Sequence, residues 1–370
     1  MKKFCVLLAF AITLGPAVFA DDAKVMPMMV GRVYVAPTYS FALGSYDGGA
    51  NYTSFDDTPG LQLFNLSFAV EYGVIDWITA AVQWAPGWTV WSNADNLAKS
   101  RLEQLNPDPS ANVNGMADLF VGAKIQIMGE KAPVKSSMFR LAAGPGVVVP
   151  LPGPDFDEEV SNLVKSDEMT FTKMDNHVFA AGLRLYFDYI INEHFFINLY
   201  NETLFYPFKQ DLNKDGPSLA ATKARLIAGG LTASEINKIE GEVNYKYRLT
   251  FEVEPAFTTP IAKGITLTAS LPVNYRFIPA YEYSVDVPAT LSSFAAVVNG
   301  ALANAGLDEG QASHALNVKP TVAVFFTNTP MPLEFELYYD VPVLGKNIAA
   351  ARHSVTLMAK IYFALPGRPQ

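Results

Sequence analysis

The chain has 370 residues, half of them hydrophobic and 17% charged, with a formal net charge of −9. That length suits one large barrel or two or three small domains, and the acidic balance gives no sign of nucleic acid or an anionic surface as partner. The one cysteine, Cys5, lies at the start of the chain, which excludes a small scaffold stapled by disulfides.

Residues 1–20 read as a cleaved secretory signal: Lys2 and Lys3, an apolar run from Phe4 to Val18, and a small residue, Ala20, at the cut. Cleavage there leaves 21–370 as the exported part. No later apolar run reaches the roughly 18 residues that a membrane helix needs. Pro288–Gly306 comes nearest, and Ser292, Ser293, Asn299 and Asn304 interrupt it.

Twelve stretches of alternating character follow, predicted as strands at about 31–43, 61–74, 77–86, 115–128, 136–150, 177–190, 194–207, 243–259, 264–281, 314–328, 332–342 and 352–365. In the clearest, Val243, Tyr245, Tyr247, Leu249, Phe251 and Val253 alternate with Asn244, Lys246, Arg248, Thr250, Glu252 and Glu254. Successive strand side chains point to opposite faces, so one face is apolar and the other charged. The outward set includes Leu183, Leu185, Leu267, Tyr275, Leu337 and Tyr339. The inward set is Arg184, Asp188, Glu202, Lys246, Arg248, Glu252, Glu254, Arg276, Lys319, Glu334, Glu336, Asp340 and Lys360.

Connections alternate in length. Short ones fall at 75–76, 128–135, 191–193, 260–263 and 329–331, long ones at 44–60, 87–114, 151–176, 208–242 and 282–313; the last, 343–351, is modest. Short turns at one rim, long loops at the other and an even strand count are the pattern of outer-membrane barrels. The fold class expected is therefore all-β: a transmembrane up-and-down antiparallel β-barrel of about twelve strands, fourteen if hairpins hide within 44–60 or near Met169–Lys173. The expected location is the outer membrane of a diderm bacterium, with outer-membrane lipid around the barrel and the barrel-assembly machinery as partner during insertion. A soluble chain that packs its aliphatic faces together stays open. Trp77, Trp84, Tyr72, Tyr189, Tyr206, Tyr339 and Tyr362 suit interfacial girdles.

The long loops carry helical spacing at 96–105, 157–165, 218–239 and 288–307. In the last, Leu291, Phe294, Val298 and Leu302 form an apolar face, which either caps the barrel mouth or captures apolar cargo. The Gly144-Pro145-Gly146 run inside the fifth strand marks a kink in the wall, or merely a strand end, because proline donates no ladder hydrogen bond and glycine favours bends. Trp84-Ala85-Pro86-Gly87-Trp88 is read as the end of the third strand. His177, His194, His314 and His353 are scattered without metal-ligand spacing. No nucleophile and base share a face, so no enzyme, cofactor or metal is expected.

Two motifs carry a resemblance. Glu71-Tyr72-Gly73-Val74-Ile75-Asp76-Trp77 resembles the YG-x-x-D strand–turn–strand of FadL-type and aromatic-hydrocarbon (phenol) outer-membrane transporters. Gly115-Met116-Ala117-Asp118-Leu119-Phe120-Val121-Gly122-Ala123-Lys124 is similar to their G-x-x-D-x-x-x-G-x-K strand, and Val147–Pro154 to their strand that ends in a proline-glycine loop. The resemblance covers roughly residues 60–190. It implies passive uptake of hydrophobic small molecules such as long-chain fatty acids, from an outer site to a gap in the wall. Substrate contacts are then expected at Leu291, Phe294, Val298 and Leu302, with Lys124, Arg140, Arg184 and Arg248 holding a carboxylate. The family has fourteen strands and an N-terminal plug, whereas here about ten residues precede the first strand. A narrow polar-solute porin, and an adhesin barrel whose loops bind host molecules, are the alternatives.

Overall fold

A computed structural model describes residues 22–97, 110–113, 115–152, 168–170, 177–211, 226, 230–236, 238–286, 288–289, 291 and 311–364. Within it, twelve antiparallel strands close into one barrel. In chain order they are β1 (Val30–Ala42), β2 (Leu61–Ile75), β3 (Ile78–Asn93), β4 (Leu119–Gly129), β5 (Phe139–Val149), β6 (Ala180–Ile190), β7 (Phe195–Phe205) and β8 (Tyr247–Ala262). Then come β9 (Ile265–Ser270 resuming as Val273–Ile278), β10 (Ser313–Val318 resuming as Thr321–Phe326), β11 (Leu333–Lys346) and β12 (Arg352–Ala364). Each strand pairs with its sequence neighbours, and β12 returns to β1 over a register running from Val30↔Ala364 to Ala42↔Arg352. No edge is left unpaired, which is one of the two ways a chain satisfies its backbone inside lipid. No described helix is long and apolar enough to cross a membrane.

The faces sort as the alternation predicts. Thr250, Glu252 and Arg248 are buried on β8, while Phe251 between them is 42% exposed; on β11 the wall leaves Leu337 52% exposed with Tyr338 buried behind it. Val70, Val82, Val121, Leu183, Leu185, Val322, Phe335, Val355 and Leu357 are exposed in the same way. Each such side chain left in water forfeits roughly 1.5–3 kcal/mol. A belt of them around a closed barrel is stable only against hydrocarbon, so we read the strands as membrane-spanning.

Differences from the sequence reading have local causes. β3 does not end at Pro86. It continues to Asn93 through Gly87, whose φ of +80° and tight approach to the Leu66 carbonyl admit no side chain. Val243 and Asn244 do not begin β8. Lys246 takes φ +60°, and Glu240–Asn244 instead forms a small outer sheet between Gln210–Asp211 and Glu282–Asp286. β11 runs through Pro342 to Lys346, with a bulge opposite Leu316 and Asn317. The strands suspected at 44–60 and near Met169 do exist, but outside the barrel: Gly44–Tyr46 pairs with Tyr52–Ser54, and Glu168–Thr170 with Ser110–Asn112. Pro272 and Pro320 interrupt β9 and β10 without opening them, because their carbonyls still accept from Lys319 and Tyr339 N–H at 2.8 and 3.2 Å.

The loops are helical at 95–97 and at Ala233–Ile236, the latter started by a capping box: Thr232 N–H donates to Glu235 Oε2 at 2.9 Å, and Glu235 N–H to Thr232 Oγ1 at 3.3 Å. Leu226, Leu231, Ile239, Val243 and Leu291 of the loops are buried. Residues 1–21, 98–109, 153–167, 212–225 and 292–310 lie outside the described residues, and the expected signal, the helix at 157–165 and much of those at 96–105, 218–239 and 288–307 fall there.

Candidate functional site: an occluded lumen

The short stretch before β1 does not lie outside the barrel. It enters the lumen from the rim that carries the short turns, and buried polar groups hold it there. Ala23, fully buried, donates its N–H to Asp188 Oδ1 at 2.8 Å. Its carbonyl accepts from Gln126 Nε2 at 2.8 Å, and the Asp22 carbonyl accepts from Lys124 Nζ at 2.9 Å. Met26 N–H donates to Thr79 Oγ1 at 2.7 Å, and Met28 N–H to Asp76 Oδ1 at 3.0 Å. Ala23 packs with Ala142, Tyr186 and Tyr200. Gly73 lies under the segment: a Cβ there would sit 2.1 Å from the Pro27 carbonyl oxygen. The glycine of the YG-x-x-D motif is thus the place where the segment crosses the wall.

Beside and above the segment the lumen is lined by charge in paired form. Arg184 Nε donates to Glu202 Oε2 at 2.6 Å and Nη1 to Gln83 Oε1 at 2.5 Å. Arg32 meets Glu71, Arg140 meets Asp188 at 3.5 Å, Lys319 meets Glu252 at 3.3 Å, and Lys360 bridges Glu334 and Glu336 at 2.8 Å each. Asn274 and Asn198 amides donate to Glu252 and Glu254, and the Asn317 amide to Asp340. Breaking any of the buried pairs strands a charge in a low-dielectric interior.

One wall is built for close approach. Gly122, Gly146 and Gly182 fall side by side on β4, β5 and β6. The Phe120 ring lies across all three, so that a Cβ would meet it at 2.8, 2.3 and 3.2 Å respectively, and the Arg184 guanidinium stacks on its other face, 3.5 Å from the ring centre. Beside it a cavity with room for little more than a water molecule is lined by Lys24, Glu71, Gln83, Phe120, Lys124 and Arg184. The same wall holds the seam. β4–β5 pairing runs from Leu119↔Val149 to Gly122↔Gly146, skips two positions, and resumes at Ile125↔Ala143. Pro145 has no N–H to offer there. On its other side β5 pairs with β6 throughout, including Pro145↔Leu183 and Gly144↔Arg184.

Of the residues singled out from sequence, Lys124, Arg140 and Arg184 come together around the N-terminal segment and the cavity, each with protein partners. Arg248 sits higher, near Glu202. Leu291 is buried rather than presented to solvent; Phe294, Val298 and Leu302 lie outside the described residues. Lys246 is not lumenal but pairs with Glu282 at the outer rim. Tyr206 and Tyr362 do not belong to a girdle: Tyr206 is buried against Tyr245, and Tyr362 points inward to Glu334. The sequence reading missed the N-terminal segment, Phe120 with its glycine row, and Gln83. The recurrence of glycine at Gly122, Gly146 and Gly182 was the signal that could have found the second.

No family model matches the chain, and no curated protein matches it. Solved structures do. The COG4313 outer membrane channel from Pseudomonas putida F1 superposes with a TM-score of 0.55 at 12% identity, over 92% of this chain and 98% of that one. The Ralstonia pickettii toluene transporter TbuX reaches 0.35 at 7% identity, over 92% and 90%, and the CymD monoaromatic hydrocarbon channel 0.32 at 8%, over 92% and 89%. At this identity the first likeness establishes a shared barrel fold.

Proposed function

We propose that the protein is an outer-membrane channel for passive uptake of hydrophobic small molecules, with long-chain fatty acids among its cargo. The observation that carries this reading is the occluded lumen. Residues 22–29 run inside the rim with the short turns, against β2–β7, and ion pairs tie many lumenal charges together, which narrows the path of a hydrated solute. An apolar molecule need not follow that path, because it can leave sideways into the bilayer. The β4–β5 seam, where the ladder lapses at Gly144 and Pro145 as it also does at Pro37 between β12 and β1, is a place in the wall where such an exit costs few hydrogen bonds.

A reversible staple tests the exit. Val121 and Val147 are paired outward-facing residues at the upper edge of the seam. With both changed to cysteine, oxidation should stop transfer of a fluorescent fatty acid into proteoliposomes, and reduction should restore it. A matching staple at Leu185 and Asn201, across the intact β6–β7 ladder, should change nothing. Equal transfer with the first staple closed or open removes the lateral exit. Sugar-driven liposome swelling that outpaces fatty-acid transfer would favour the polar porin instead.

A further inference from the structure

We propose that the lipid-facing outer rim of β9–β11, centred on His314 and Lys346, binds the anionic phosphate of an outer-leaflet lipid headgroup; this rests on the membrane-spanning reading above. His314 lies on the outer wall. Its in-register neighbours are Phe277 on β9 and Lys346 on β11, and the β9 aromatics pair in turn with Phe251 and Leu249 on the apolar face of β8. All three residues sit at the ends of their strands nearest the long loops, at headgroup depth.

The imidazole is oriented. Tyr275, one diagonal step away, places its hydroxyl 2.7 Å from His314 Nδ1, and the Phe277 ring packs at 4.9 Å. With the phenol donating to Nδ1, the ring proton sits on Nε2, which faces away from the pair. An N–H without an acceptor is costly beside hydrocarbon. Water or a headgroup oxygen must therefore meet it. Lys346 decides between them: it is exposed, shares the outward face with His314, and makes no ion pair among the described residues. A fixed N–H donor beside an ammonium recognises a phosphate oxygen. Exposed Val343 and Leu344 border the site, and the bulge at this point of β11 turns Lys346 outward. The device recurs on β12, where the Tyr339 hydroxyl lies 2.9 Å from His353 Nδ1 and the imidazole stacks on Phe41 at 5.2 Å.

The test is native mass spectrometry of the full-length, detergent-folded barrel titrated with lipid A, with lipid A stripped of its phosphates, and with inorganic phosphate as competitor. Wild type should retain lipid A and release the stripped form. The His314→Phe/Lys346→Gln variant should retain lipid A about tenfold less. Should the double variant fail to fold, Lys346→Gln alone, remote from every lumenal pair, carries the test. Equal retention of phosphorylated and stripped lipid overturns the proposal, as does retention unchanged by the substitutions or full displacement by inorganic phosphate at equal concentration. These outcomes leave fatty-acid transfer intact. A barrel that does not insert into bilayers at all would instead remove the channel reading.

Discussion

Deleting residues 22–28 should turn a nearly closed barrel into a conducting one. The segment occupies the lumen by backbone contacts to Asp188, Gln126, Lys124, Thr79 and Asp76. Each of these partners reaches it with a side chain and keeps its backbone for the barrel or its turn, so the wall persists without it. What remains is a lumen whose lower half is lined by Lys124, Arg140, Asp188 and Thr79, now hydrated. Single-channel current in planar bilayers should rise severalfold over wild type. Gly73→Val should give part of the same rise in the full-length chain, because a side chain at that position collides with the Pro27 and Met26 carbonyls and must lift the segment. The rise should come with faster sugar-driven swelling and little change in fatty-acid transfer, since the proposed exit lies in the β4–β5 seam. An unchanged current in both variants would mean that the segment does not limit the path.

Glu202→Leu should cost about 3–5 kcal/mol of unfolding free energy, the cost of leaving a buried charge without its partner. Glu202 is 2% exposed and accepts from Arg184 and from the Tyr200 hydroxyl at 3.2 Å, with Arg248 also nearby. Its loss strands the Arg184 guanidinium between Phe120 and Gln83. Adding Arg184→Met should recover most of the loss, because an apolar pair of similar volume carries no desolvation penalty. Urea midpoints of the detergent-folded barrel measure both. A double variant as unstable as the single one would show that the Phe120 stack, not the ion pair, holds this wall.

The strand pattern was legible because each wall separates two solvents, so the alternation in β6, β8 and β11 is strong enough to read residue by residue. Turn lengths then supplied the topology. Strand ends were harder. Pro86 and Pro342 read as terminators, yet a strand passes a proline where a bulge or a positive-φ glycine takes up the mismatch, as at Gly87. The lumen was legible as a set of charges but not as a set of pairs: which carboxylate meets which cation depends on strand tilt, so Lys360 with Glu334 and Glu336 could not be assigned from spacing. The N-terminal segment was invisible for a different reason. Its hold is almost wholly through backbone N–H and C=O groups, which every sequence carries, and only Gly73 betrays it. Leu291 shows the converse limit, since an apolar face at helical spacing says that something covers it without saying what.

The whole account turns on which solvent each face meets, and paired spin labels read that directly. In bilayer-reconstituted protein, a label at Leu337 should relax fast with lipid-dissolved oxygen and resist a water-soluble nickel chelate, while a label at Ser354, on the lumenal face of β12, should show the reverse. Labels that respond the other way round would place the apolar belt inside and the ion pairs outside, and the barrel would not be a membrane channel.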